Sequence, residues 1–223
     1  MNFEFNENTF LNELHIEAPQ EFVECVSLDS NIKNIIFGPQ YIFRGVSNAS
    51  YELIPSARRD GVELSSLSFP SEADDFNARN LVGQIAKEYL IIKKFYEIAD
   101  KSRLKVPDAP LLRRTIRNRI GNSAALDHWT HWPSEEIEAV CALAQHYGLP
   151  TCMLDWMYSF SIALYFAAIG SISSLQDCHN DSKKFAIYAL DMRALDTLKL
   201  RVIAKWPIDI IQPAYFDNQN LAA

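Results

Sequence analysis

An α+β fold is predicted by three observations: helical periodicities crowd the middle of the chain, short β-rich stretches flank them, and the order runs helix, strand pair, helices, strand, helix, strand. The architecture expected is a small mixed or antiparallel sheet packed with a block of helices. At 223 residues the chain can bury one sizeable core.

Charge and composition narrow the function classes. The 21 Lys and Arg against 28 Asp and Glu leave a formal net charge of -7, which repels polyphosphate at long range and argues against a nucleic-acid partner. A small anion in a local pocket is still compatible with it. Cys25, Cys141, Cys152 and Cys178 are scattered without CxxC spacing, so neither a zinc module nor a disulfide framework is signalled. The opening MNFEFNENTF lacks the basic and apolar regions of a secretory signal, and Phe160 to Ile169 is too short to span a bilayer. The expectation is a cytoplasmic protein with no membrane partner.

Pro19 and the QEFVECVSL after it have helical spacing, with acids near the start where the helix dipole favours them. Residues 1–35 are expected to be a helical lead-in, and 36–223 the main domain. YIFRG, ending at Gly45, and YELIP, stopped by Pro55, predict two strands joined by the polar VSNAS. From Asn80 to Ala99, apolar residues at 81, 85, 89, 92 and 96 predict one long helix. LLRRTIRNRIG follows two prolines; as a helix it turns Leu112, Ile116 and Ile120 inward and leaves Arg113, Arg114, Arg117 and Arg119 as a solvated rim or an anion-facing patch.

Ser134 is expected to cap SEEIEAVCALAQHY, with Gly148 and Pro150 ending that helix. TCMLDW reads as a short buried extended segment. Ser159 or Ser161 caps the next helix, Gly170 closes it, and after a polar loop from Ser171 to Lys184 KFAIYALD alternates as a strand.

Three charged or polar residues interrupt apolar motifs. Arg44 sits where a strand meets a turn beside Gly45, which permits close backbone approach. Its guanidinium suits a phosphate or carboxylate ligand, or an internal partner that orders the loop. His146, in a last helical turn, is either a C-terminal cap or an acid–base group. Asp155 breaks an apolar run, and a buried carboxylate there requires a partner, with Arg44, His146 and backbone amides as candidates. His128 and His131 flank Trp129 without an acid or cysteine at ligand spacing, so no metal site is expected.

Two stretches together carry a resemblance. YIFRGVSNASYELIPSARR is similar to the opening motif of the FRG domain, named for Phe-Arg-Gly, with Phe43, Arg44, Gly45, Leu53, Pro55, Ser56 and Arg59 in matching places. LAQHYGLPTCMLDWMYSFSIALYFAA resembles the family's second signature, with Cys152 where arginine is usual. The resemblance implies no established activity. The order also resembles that of arginine-type ADP-ribosyltransferases: Arg44 would grip a nicotinamide-nucleotide phosphate or ribose, LDWMYS would stand for the serine-rich motif, and Ala163 and Phe166 would take the places of its Ala-x-x-Phe helix.

On that basis Arg44, His146 and Asp155 form the candidate catalytic set, with Gly45, Arg59, Tyr147, Trp156 and Ser159 as ligand-binding positions. The ligand expected is a phosphate-bearing small molecule, NAD among the candidates. The alternative is a non-catalytic interaction or effector module in which Arg44, His146 and Asp155 are structural. FRG domains usually continue into Gln-x-Gly-x-Phe, and NQNLAA stops before it, so a C-terminal strand is expected to be missing and a protein partner could pair at that sheet edge.

Overall fold

The computed structural model describes residues 4–6, 11–64, 81–118, 132–175 and 184–201. Arg119, Ile120, His128, Trp129, His131, Cys178 and the NQNLAA end, for which expectations were stated above, lie outside the described residues. The fold is α+β, and its sheets are small and antiparallel. Two units are distinguishable: residues 1–51 with 155–207, and residues 52–154 with 208–223.

The first unit starts with a hairpin of β1 (Glu4–Asn6) and β2 (Leu11–Glu13). Helix α1 (Pro19–Leu28) opens on proline, whose missing N–H costs nothing in a first turn. It packs against α2 (Ser30–Phe37), which Asp29 caps by accepting from the amides of Asn31 at 2.8 Å and Ile32 at 3.1 Å. Strand β3 (Tyr41–Val46) pairs with β4 (Ala186–Asp191) in a register that sets Arg44 opposite Tyr188. Helix α6 (Phe160–Leu175; α3 to α5 belong to the second unit) lies on β3, and α7 (Met192–Arg201) follows β4 from a cap supplied by Asp191.

The second unit is helical. After a 3-10 turn (Ser56–Arg58) comes α3 (Leu81–Lys101), the long helix the apolar stripe predicts, followed by α4 (Pro110–Asn118) and α5 (Glu138–His146). Tyr89, Ile92 and Tyr96 of α3 interlock with Leu112 of α4 and Val140, Cys141 and Ala144 of α5 in one buried cluster. The Tyr89 hydroxyl donates to Thr115 Oγ1 at 2.9 Å, which satisfies the polar tip of a fully buried ring.

Four expectations need correction. YELIP is no strand: Ile54 N–H turns back onto the Glu52 carbonyl, and Arg58 N–H onto that of Pro55, so the chain coils into the 3-10 turn. Ser134 does not cap α5, because its carbonyl accepts from Ile137 and Glu138 in a turn that delays the helix to Glu138. Gly170 does not end α6, which runs on to Leu175 and shortens the expected loop; a β-carbon at Gly170 would stand 2.8 Å from that of Ser47, so this glycine serves packing. Asp155 is exposed rather than buried, and it is its main-chain carbonyl that meets Arg44. The hairpin, α2 and α7 were not anticipated. Among the described residues no helix is long and apolar enough to cross a membrane, and no His/Cys/Asp/Glu cluster could hold a metal ion.

Candidate functional site

In the first unit the Phe-Arg-Gly triplet divides its work three ways. Phe43 is buried; its N–H donates to the Met157 carbonyl at 2.7 Å and its carbonyl accepts from Met157 N–H at 2.8 Å, tying the segment after Leu154 to β3. Its ring meets Phe160 edge-on at 5.7 Å. Arg44, half-buried, donates from Nη1 to the main-chain carbonyl of Asp155 at 2.7 Å. Gly45 faces α6, and a β-carbon there would come within 2.0 Å of the Ala163 carbonyl oxygen. The close approach that a glycine permits is therefore taken up by a helix.

Of the other predicted positions in this unit, Trp156 is half-buried and Ser159 caps α6, its Oγ accepting from Ile162 N–H at 3.4 Å and its carbonyl from Ala163 at 3.1 Å. Arg44 and Asp155 are thus brought together through a backbone oxygen, with Trp156 and Ser159 next along the same segment.

Arg59, His146 and Tyr147 belong to the second unit. Arg59 is exposed and donates from Nε to the Ile54 carbonyl at 3.1 Å. His146 ends α5 with its side chain exposed, edge-on to Tyr147 at 5.8 Å, and Tyr147 in turn lies 6.0 Å from Phe95. The His-Tyr-Gly-Leu-Pro run builds a helix stop. Gly148 has φ +82°, its N–H returns to Gln145 and Leu149 N–H returns to Ala144, the paired bonds that satisfy the last carbonyls of a helix.

The chain then delivers Thr151 to Ser56. Thr151 N–H donates to Ser56 Oγ at 3.0 Å, the Ser56 hydroxyl donates to the Thr151 carbonyl at 3.3 Å, and Ala57 N–H donates to that same carbonyl at 3.0 Å. The Thr151 hydroxyl bonds Gln145 Oε1 and accepts from Met153 N–H at 3.3 Å. This clasp joins the two signature stretches within one unit.

Beside it sits the residue that sequence reasoning missed. Glu88 of α3 is 2% exposed and accepts from Arg58 Nε at 3.2 Å, from Gln84 Nε2 at 2.9 Å and from the indole N–H of Trp132. Gln84 also donates to the Ala57 carbonyl at 2.9 Å. Burial, followed by the nearby Glu88 charge, pushes the Cys152 thiol up to about 12, and burial drives Cys141 well above its ordinary value. Both thiols are therefore neutral and inert near neutral pH. The signal for Glu88 was present: it lies three residues after Ile85 and four before Ile92, on the inward face of a helix already recognised.

The arginines of α4 form the solvated rim. Arg113 donates from Nε to the Tyr96 hydroxyl at 2.9 Å and lies 3.3 Å from Asp108; these contacts raise its pKa, the Tyr96 hydrogen bond most. Arg114 pairs with Glu136 at 3.4 Å. An open groove of about 820 Å³ beside them also carries Glu97, Asp100 and Asp108, so its charges largely offset one another.

Compared with known proteins, the chain matches the FRG domain over residues 39–174, more than half its length. It belongs to the FRG-domain family. No curated protein and no solved structure matches it. The match opens two residues before β3, runs through the clasp, and closes one residue before the end of α6. Both signatures of the FRG domain thus coincide with a helix stop, a glycine under a helix and backbone-directed hydrogen bonds.

Proposed function

We propose that this FRG domain is a non-catalytic protein-interaction module in which Arg44 and the segment around Asp155 hold the fold together, and His146 serves the end of a helix. The observation that carries the reading is the 2.7 Å bond from Arg44 Nη1 to a main-chain carbonyl, an acceptor that exists whatever ligand is present. It is supported by the exposure of the His146 and Asp155 side chains, which sets neither in an enclosed site. A protein partner at the sheet edge belongs to the same reading.

The test is a comparison of melting with ligand binding. Arg44→Ala should melt well below the wild type, and titration with NAD or ADP-ribose should give no heat. A stable Arg44→Ala protein that loses affinity for either nucleotide would reverse the assignment.

One observation favours a second reading, a pocket for a phosphate-bearing ligand such as NAD. Arg44, Asp155, Trp156 and Ser159 cluster at one strand and the segment bonded to it. Arg44→Lys separates the two: it keeps a charge for a phosphate but loses the fixed fork of donors.

A further inference from the structure

Strand β4 is half of a two-stranded sheet, and one of its edges is open. Among the described residues β3 alone pairs with it. The far edge of β3 is closed instead by Met157, which exchanges both main-chain bonds with Phe43, at 2.7 and 2.8 Å. Those bonds fix the phase of the ladder. Since the N–H and carbonyl of Phe43 point away from β4, Phe43 and Ala189 are a non-hydrogen-bonded pair, and Ala189 points its own groups away from β3. The Met192 N–H, donated to the Gln40 carbonyl at 2.9 Å, gives the same phase at the other end. Ile187, Ala189 and the N–H of Asp191 therefore present main-chain groups along the open edge.

Edge strands of natural proteins are blunted by lysine, proline or a bulge. AIYALD has neither lysine nor proline, and its six pairs with β3 run without a bulge. What can cover such an edge is restricted. Donors and acceptors that alternate at strand spacing are met together by an extended peptide backbone, and not by a helix, whose own groups are used internally.

Side chains narrow the occupant further. Ile187 and Ala189 lie opposite Gly45 and Phe43, so with Asp191 they face the α6 side of the sheet. Ala189 is exposed there, which leaves room for a bulky side chain beside it, and Asp191 sets a negative charge at the end of the row. An antiparallel arrival, the arrangement the sheet already has, puts a basic residue against Asp191, a bulky apolar one against Ala189 and a branched one against Ile187. A second copy of β4 does not fit. Antiparallel pairing about Ala189 or Tyr188, the registers that best overlap the two strands, sets Asp191 against Ile187 or Phe185, and each chain carries a net charge of -7.

We infer that the open edge of β4 binds an extended segment of another protein, antiparallel, with a basic, a bulky apolar and a branched apolar residue at alternate positions. The inference rests on the interaction-module reading and names its partner. The two fail separately, because that reading is judged by the melting of Arg44→Ala and by nucleotide heats, and this one by backbone protection in β4.

The experiment titrates the isotope-labelled intact chain with the blocked peptide Thr-Lys-Thr-Phe-Thr-Val-Thr and follows amide exchange by NMR. Without peptide, the Ile187 and Ala189 amides should exchange freely while those of Tyr188 and Leu190 are protected; with it, Ile187 and Ala189 should become protected too. N-methylation of the peptide's phenylalanine blocks a donor aimed at β4 and should weaken binding about tenfold or more, whereas N-methylation of the threonine before it should leave binding unchanged. Glutamate in place of the peptide's lysine should weaken binding about fivefold. Ala189→Pro removes an outward N–H that the ladder with β3 does not use, so it should weaken binding about tenfold while Tyr188 and Leu190 stay protected; should that variant fail to fold, the two N-methylated peptides still decide. Ile187 and Ala189 amides already protected in the free chain, no protection on adding peptide, or equal binding of the N-methylated pair overturns the inference. Equal binding of the glutamate peptide overturns its basic position.

Discussion

Gly45 lies directly beneath Ala163, and a β-carbon added to the glycine would stand 2.0 Å from the alanine's carbonyl oxygen. Backbone cannot yield as a flexible side chain can, so Gly45→Ala must push α6 off β3. The expected loss is about 3 kcal/mol, the upper end of the range for overpacking, read as a fall in melting temperature. Gly170→Ala should cost less, because its nearest neighbour, the Ser47 β-carbon, stands at 2.8 Å rather than 2.0 Å and alanine recovers roughly 1 kcal/mol of helix propensity.

Arg44 donates to a carbonyl that survives any change of the Asp155 side chain. Arg44→Ala should therefore lower stability by more than Asp155→Ala does. A half-exposed charged hydrogen bond is worth about 1.5 kcal/mol, or roughly 3 to 6 °C in a chain of this size. Thermal scans of the two variants decide the order.

Glu88 holds together Arg58, Gln84 and an indole N–H. Glu88→Ala removes the buried carboxylate on which those three donors converge and should cost about 3 kcal/mol. Glu88→Gln keeps an acceptor for Trp132 and should cost less, and Arg58→Ala less again, because the arginine side chain is 38% exposed. Urea midpoints give the ranking.

The clasp between Ser56 and Thr151 predicts non-additivity. Ser56→Ala removes the bonds to the Thr151 backbone, and Thr151→Val removes those that hold the same residue to Gln145 and Met153, so these two neighbours are coupled and the double variant should lose less than the sum, by about 0.5 kcal/mol or more. Additive losses in a double-mutant cycle would mean that the two hydroxyls act independently.

Cys152 sets an alkaline limit. Its thiol ionises near 9.0 when unfolded and at about 12 when folded, so between those values the unfolded chain has released a proton that the native chain retains. Stability is fully present below pH 9 and falls as pH rises towards 12. Cys152→Ser does not titrate there and should flatten that limb of a plot of melting temperature against pH.

The stripe of α3 was legible because its apolar residues recur at helical spacing, and β3 and β4 because β-rich or alternating residues crowd those stretches of sequence. Arg44 was legible as an anomaly, but its acceptor was not, since a main-chain carbonyl leaves no mark in a string of side chains. Gly170 was read as a terminator because glycine ends helices and also admits close neighbours, and only the position of Ser47 separates the two. The apolar neighbours of Asp155 suggest a buried carboxylate, whereas the residue meets Arg44 through its main-chain carbonyl and exposes its charge. Glu88 and the short helix α2, capped by Asp29, carried readable signals that the apolar runs around them obscured.

Arg44 and the carbonyl it holds are 111 residues apart, and what lies between them is most of the second unit. The first unit is therefore completed only after the chain has left it, traversed a helical core and come back. During synthesis β3 emerges long before β4 exists to pair with it, and meanwhile the helices of residues 81–146 can gather through contacts close in sequence. Assembly should run from the inside of the sequence outward, with closure of the sheet as the late and slow event.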